Sequence, residues 1–131
     1  MLSHHLLALD YACCVLIVIA AIYIIFLDDI TVEGKSMEPT LVSGCRVLFI
    51  KSKYVPTCSF KKGDVIIFSI ANPLRVHDEV GHEQKVVELL IKRIQNVNTD
   101  GNIFTVVGDN QDVSFDMTIH SDKIVGRAVF V

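Results

Sequence analysis

The sequence has no tryptophan, only three prolines, and four cysteines none of which forms a C-x-x-C pair. That spacing excludes a structural zinc ribbon, and Cys13 and Cys14, adjacent within an apolar run, do not belong to a disulfide framework. Cys45 and Cys58 stay open to two readings, a bridge or a pair of small apolar residues. Long runs of one charge are also missing. The 12 basic and 15 acidic residues give a net charge of −3, which lacks the footprint that phosphate backbones require, so nucleic acid is not an expected partner. No Lys or Arg precedes Lys35, which removes the basic leader of a cleavable signal peptide. Against these absences stand 131 residues that are 51% hydrophobic and 21% charged, a composition that excludes disorder and leaves room for one domain.

The apolar residues are concentrated at the start. Leu6–Leu27 is interrupted only by Asp10, and at about 1.5 Å per residue its 22 residues span roughly 33 Å, enough to cross a bilayer core. The expected organisation is a short tail over residues 1–5, a transmembrane helix over 6–27 and a β-rich domain over 28–131. A buried core helix is usually shorter than this run. Charge does not orient the helix, because the nearest cations, Lys35 and Arg46, both follow it.

Beyond Asp28–Asp29 the pattern changes to short Val-, Ile-, Phe- and Thr-rich segments at Thr31–Glu33, Arg46–Lys51, Asp64–Ile70, Ile103–Val107 and Ile124–Val131, separated by turn residues. This predicts a mainly β domain. Lys85–Ile94 fits a helical face as well as a strand. Asn72–Gln84 reads as a polar surface loop. Gly34–Lys35–Ser36 ends like a phosphate-binding loop, but its first glycine would fall on Asp29. His77 and His82 do not have the spacing of a helical metal site, so no metal is expected.

Four blocks remain. Gly34–Lys35–Ser36–Met37–Glu38–Pro39–Thr40–Leu41 places a serine in a loop between a flexible Gly and a rigid Pro. Lys62–Gly63–Asp64 opens an apolar strand, and Lys92–Arg93 stands among Leu90, Ile91 and Ile94. Gly108–Asp109–Asn110, followed by Ser114 and Asp116, is a turn rich in short polar side chains that bond to backbone or to one another. In this order, behind a membrane helix, the blocks resemble the type I signal peptidases, membrane-bound serine endopeptidases that remove signal peptides from exported proteins. The resemblance covers about Val32 to Val131. It implies a signal-peptidase-like β-barrel on the extracytoplasmic face of the plasma (inner) membrane, with precursor proteins and the lipid bilayer as partners and no cofactor. It also turns Lys85–Ile94 into a strand.

By the same resemblance Ser36 is the nucleophile, Lys92 the general base, and Ser114 the residue that orients the lysine amine. Asp109, Asn110 and Asp116 match the structural turn. The family usually follows the last acid with Ser-Arg, whereas Met117–Thr118 stand here, so Arg93 is the expected substitute partner of Asp116. A side-chain oxyanion donor two residues before the nucleophile is replaced by Gly34, leaving the Ser36 backbone N–H. Val32, Met37, Leu41 and Ile91 would line shallow pockets for small substrate side chains, with the substrate bound as an added β-strand. The chemistry agrees: a serine hydroxyl needs an adjacent base, and a lysine serves as one only when apolar burial lowers its pKa from about 10.4. Three alternatives are a self-cleaving repressor-type Ser-Lys peptidase, a dedicated processing peptidase, and an inert membrane-anchored β-domain that binds exported chains.

Overall fold

The computed structural model describes residues 2–71, 76–77, 83–84 and 87–131. The chain begins with helix α1, Leu2–Phe26, which is apolar on every side and buries none of its length against the protein. An all-round apolar surface has no face to pack on a soluble core, so Ser3–Phe26 is a helix that can span a membrane. The helix takes in Leu2–His5 ahead of the apolar run and stops at Phe26, where the chain passes directly into strand β1, Leu27–Thr31.

Eight further strands follow among the described residues: β2 (Arg46–Lys51), β3 (Val65–Ala71), β4 (Val76–His77), β5 (Glu83–Gln84), β6 (Val87–Val97), β7 (Ile103–Val107), β8 (Met117–His120) and β9 (Ile124–Ala128). Seven of these nine strands form one antiparallel sheet in the order β1-β2-β9-β3-β6-β7-β8, and β4 pairs with β5 alone. The domain is therefore mainly β, as expected, but the sheet is open at β1 and β8 rather than closed into a barrel. Lys85–Ile94 resolves as strand from Val87 onward, because β6 pairs with β3 along its first half and with β7 along its second. Of the expected loop Asn72–Gln84, only Val76–His77 and Glu83–Gln84 are described, and the histidine side chains there lie outside the described residues.

Two apolar clusters hold the sheet. Ile66, Phe68, Ile94, Phe104 and Val106 anchor the larger one, and Val32, Met37, Leu41, Val47 and Val65 form the smaller. Alternation along β3 and β6 sends successive side chains to opposite clusters, so the sheet is covered on both faces near its centre. Gly126 is required where β9 passes β2: a Cβ there would strike the Phe49 ring and the Ile50 carbonyl.

The end of α1 is tied to this domain. The Lys51 ammonium donates to the Ile24 carbonyl at 3.1 Å, one of the carbonyls a helix C-terminus leaves without an internal partner. Phe26 meets Tyr54 edge to face, ring centroids 4.6 Å apart.

Candidate active site

The Ser36 loop leaves β1 through Val32, whose N–H donates to Cys45 O at 2.8 Å while Gly44 N–H returns a bond to Val32 O at 2.8 Å. Gly34 turns the chain with φ +84°, a left-handed conformation that a side chain would strain. Past the turn, Met37 is fully buried and Leu41 N–H bonds to Met37 O at 2.9 Å, which makes the apolar side of the loop part of the core. Asn110 pins the loop's other side: its backbone N–H donates to Ser36 O at 2.9 Å and its side-chain amide to Lys35 O at 3.0 Å. The residue that carries the hydroxyl is thus held by its own carbonyl.

Lys92 lies on β6 opposite Ile66 and is 8% exposed, the one buried charged side chain among the described residues. Burial lowers its pKa from the ordinary lysine value by penalising the ammonium form. Its Nζ donates to Ser114 Oγ at 3.3 Å, and Ser114 Oγ also accepts from Gly108 N–H at 2.7 Å. Gly108 has no room for a side chain, since a Cβ would collide with both the Ser36 carbonyl and the Ser114 side chain. The absence of a Cβ at Gly108 is what lets these three residues close on one another.

Ser36 and Lys92 line one groove of about 370 Å³, together with Ile30–Glu33, Met37 and Val87–Ile91. Of the four residues expected at the substrate pockets, Val32, Met37 and Ile91 line this groove. Leu41 is instead packed into the smaller cluster with Val47 and Val65.

The brace differs from the expectation in its partner. Arg93 grips Asp109 with two prongs, Nε to Oδ1 and an NH2 to Oδ2, both at 2.8 Å, and it also donates to Gly63 O at 2.8 Å. Thr40 Oγ1 reaches Asp109 Oδ2 at 2.6 Å. Asp116 is exposed and stands outside this pair. Register explains the choice: Arg93 is opposite Val107 on β7, so Asp109 follows only two residues beyond it, whereas Asp116 comes just before β8. The bonds with Arg93 hold the Asp109 carboxyl below its usual pKa and raise that of the guanidinium.

A family model for signal peptidase, peptidase S26, matches residues 6–100 and so takes in most of α1, the Ser36 loop and Lys92. The chain belongs to this family. Comparison with curated proteins finds no match. The family is one of serine peptidases that cleave signal peptides, which places the chain with hydrolases of signal-peptide processing and with substrates that carry such peptides. The matched stretch ends before Gly108, so the contacts that Gly108, Asp109, Asn110 and Ser114 bring to the candidate site stand on their geometry. Three contributors had no expected role in the sequence reading: Thr40, Gly63 through its carbonyl, and Gly108 as a spacer. All three lie inside the quoted blocks, and only the contacts reveal what they do.

Proposed function

We propose that this chain is a membrane-anchored serine endopeptidase that removes signal peptides from exported precursors with a Ser36–Lys92 dyad, its β domain on the extracytoplasmic side. The observation that carries the reading is the burial of Lys92 beside Ser114 in the same groove that Ser36 lines. In its neutral form, which burial favours, Lys92 accepts the Ser36 hydroxyl proton as Oγ bonds to the scissile carbonyl carbon. The carbonyl electron pair becomes an oxyanion, for which the Ser36 backbone N–H is the available donor, since Gly34 brings no hydroxyl. Collapse breaks the C–N bond, and the Lys92 ammonium gives its proton to the departing amine. Neutral again, Lys92 takes a proton from water as that water attacks the Ser36 ester, and the ammonium returns this proton to Ser36 Oγ as the ester C–O bond breaks and the acid product leaves.

Ser114 Oγ accepts an N–H bond from the Lys92 amine, which aims the amine lone pair, and Asn110 fixes the backbone on which Ser36 sits. The experiment is turnover of a synthetic Ala-x-Ala signal peptide by the full chain in detergent, with Ser36→Ala and Lys92→Ala alongside. Cleavage after the second alanine by the wild type, lost in both variants, supports the reading. Wild-type protein that binds the peptide and never cuts it would identify an inert binding module instead.

A further inference from the structure

The apolar span of α1 contains one acid. Asp10 lies seven residues, roughly 10 Å, in from the start of the span at Ser3, too deep in a bilayer for its short side chain to reach the headgroups. A carboxylate at that depth is costly unless something answers it, which makes it the mark of a contact. Nothing on α1 does. The residues three and four away, on the same side of the helix, are Leu6, Leu7, Cys13 and Cys14, while His4 and His5 fall on other sides. The described domain lies past the other end and buries none of the span. Asp10 also belongs to a seam. Asp10, Ile17 and Ile24 recur every seven residues, and Cys14 and Ala21 do so four residues on, the spacing at which two helices pack with a left-handed crossing. The small side chains of Cys14 and Ala21 let a second helix come close just past the carboxylate.

We propose that this face of α1 seats the apolar helix of an uncleaved signal peptide, with Asp10 pairing the lysine or arginine that precedes that helix. This deepens the peptidase reading and rests on it. Charge, direction and length select this occupant. Signal peptides open with a basic segment, whereas no Lys or Arg precedes Lys35 in this chain, so Asp10 complements the substrate and nothing on its own helix. A second copy would instead set Asp10 against Asp10. The groove begins at Ile30, four residues past the end of α1, and the bond to be cut follows the C-terminal end of the signal helix, so the two helices run the same way through the bilayer. Asp10 stands 16 residues, about 24 Å, before the end of α1 at Phe26. Apolar runs of signal peptides are about 7–15 residues long, so the longer ones bring their preceding cation level with Asp10. An acid at the start of α1 would lie beyond them.

The test uses the full chain in uncharged phosphatidylcholine vesicles. Synthetic precursors carry one lysine, then an apolar run of about 12, 16 or 20 residues, then an Ala-x-Ala site, and a matched set has glutamine in place of the lysine. Specificity (kcat/KM) is measured for the wild type, Asp10→Asn and Asp10→Glu, and binding by energy transfer to the Ser36→Ala protein with and without Asp10→Asn. The lysine-to-glutamine ratio within each protein cancels any loss of folded enzyme. Lysine should be preferred roughly three- to twentyfold in the wild type, most strongly with the middle run, and the preference should persist in Asp10→Glu and vanish in Asp10→Asn. Equal rates with lysine and glutamine, or a preference that survives Asp10→Asn, overturns the proposal and leaves the dyad standing. Asp10-dependent energy transfer between two labelled copies that precursor does not displace overturns it as well, in favour of a second copy. Lysine-selective, Asp10-dependent binding without any cleavage upholds the docking face and removes the peptidase reading.

Discussion

Arg93 and Asp109 meet in a two-pronged ion pair that ties the strand carrying Lys92 to the turn carrying Asn110. Because Asn110 in turn holds the Ser36 carbonyl, the spacing between Ser36 and Lys92 depends on a pair that touches neither of them. Arg93→Ala strands the Asp109 carboxylate with Thr40 alone. Solvent reaches part of the pair, so the loss of stability should be about 2 kcal/mol rather than the full cost of a buried orphan charge. Thermal unfolding of the full chain in detergent measures it, and an unchanged Tm would show that the brace lies elsewhere.

The same pair sets an acid limit. The Asp109 pKa is depressed in the folded state, so its contribution is complete above the ordinary carboxylate range, beginning at about pH 4, and is lost as pH falls through the folded value. Asp109→Asn should remove this part of the acid dependence, giving a flatter curve of Tm against pH below about 5. Parallel curves for the two proteins would refute the linkage.

For Lys92 the slope has the same sign, but the window lies at higher pH and the form the fold favours is the neutral one. Its folded pKa is lowered, so the unfolded chain holds more protons between the folded value and about 10.4, and stability rises with pH across that window. Lys92→Met should abolish turnover yet raise Tm at neutral pH by about 4 °C, a gain in stability at the expense of function. Lys92→Arg should be equally inactive, because a guanidinium remains protonated at any working pH. The double variant with Ser36→Ala should be little worse than either single one. Wild-type activity should climb as the neutral amine forms, and a flat pH profile would count against the base.

Gly108 offers a sharper geometric test than either dyad residue. A methyl group there meets the Ser36 carbonyl and the Ser114 side chain together, and the first of these is backbone that cannot rotate away. Gly108→Ala should therefore lower kcat by on the order of a hundredfold, as small misplacements of reacting groups do, while the sheet still folds. Normal turnover in this variant would mean that the close approach of the three residues is dispensable.

How much could be read beforehand followed from how local each signal was. The apolar run announced α1, and strand-like composition announced β2, β3, β7 and β9, because burial on a pleated surface selects Val, Ile and Phe residue by residue. β8, Met117–His120, gave no such signal, since only Ile119 among its four residues is buried and its place is set by pairing with β7. β1 begins at Leu27, inside what reads as the end of the apolar run, because nothing in the residues marks where helix yields to strand. Ser36, Lys92 and Ser114 were legible as an ordered set of blocks. The partner of Arg93 was not, because it depends on the β6–β7 register, and neither was the groove between β1 and β6, which exists only once the sheet brings two distant strands face to face.

The junction at Phe26–Leu27 contains no linker, and Lys51 and Tyr54 fasten the domain to the last turn of the helix. With α1 in a bilayer, such a joint gives the groove no freedom to swing, and its height above the lipid becomes a fixed datum. Along β6 the groove runs from Val87 to Lys92, about five residues of extended chain or roughly 17 Å. On the proposed peptidase reading the molecule then works as a gauge: where a precursor is cut is set by how far its chain stands out of the membrane as well as by which side chains fit. Three glycines inserted after Phe26 would loosen that gauge, and the cut sites on one membrane-embedded precursor would spread over several neighbouring bonds.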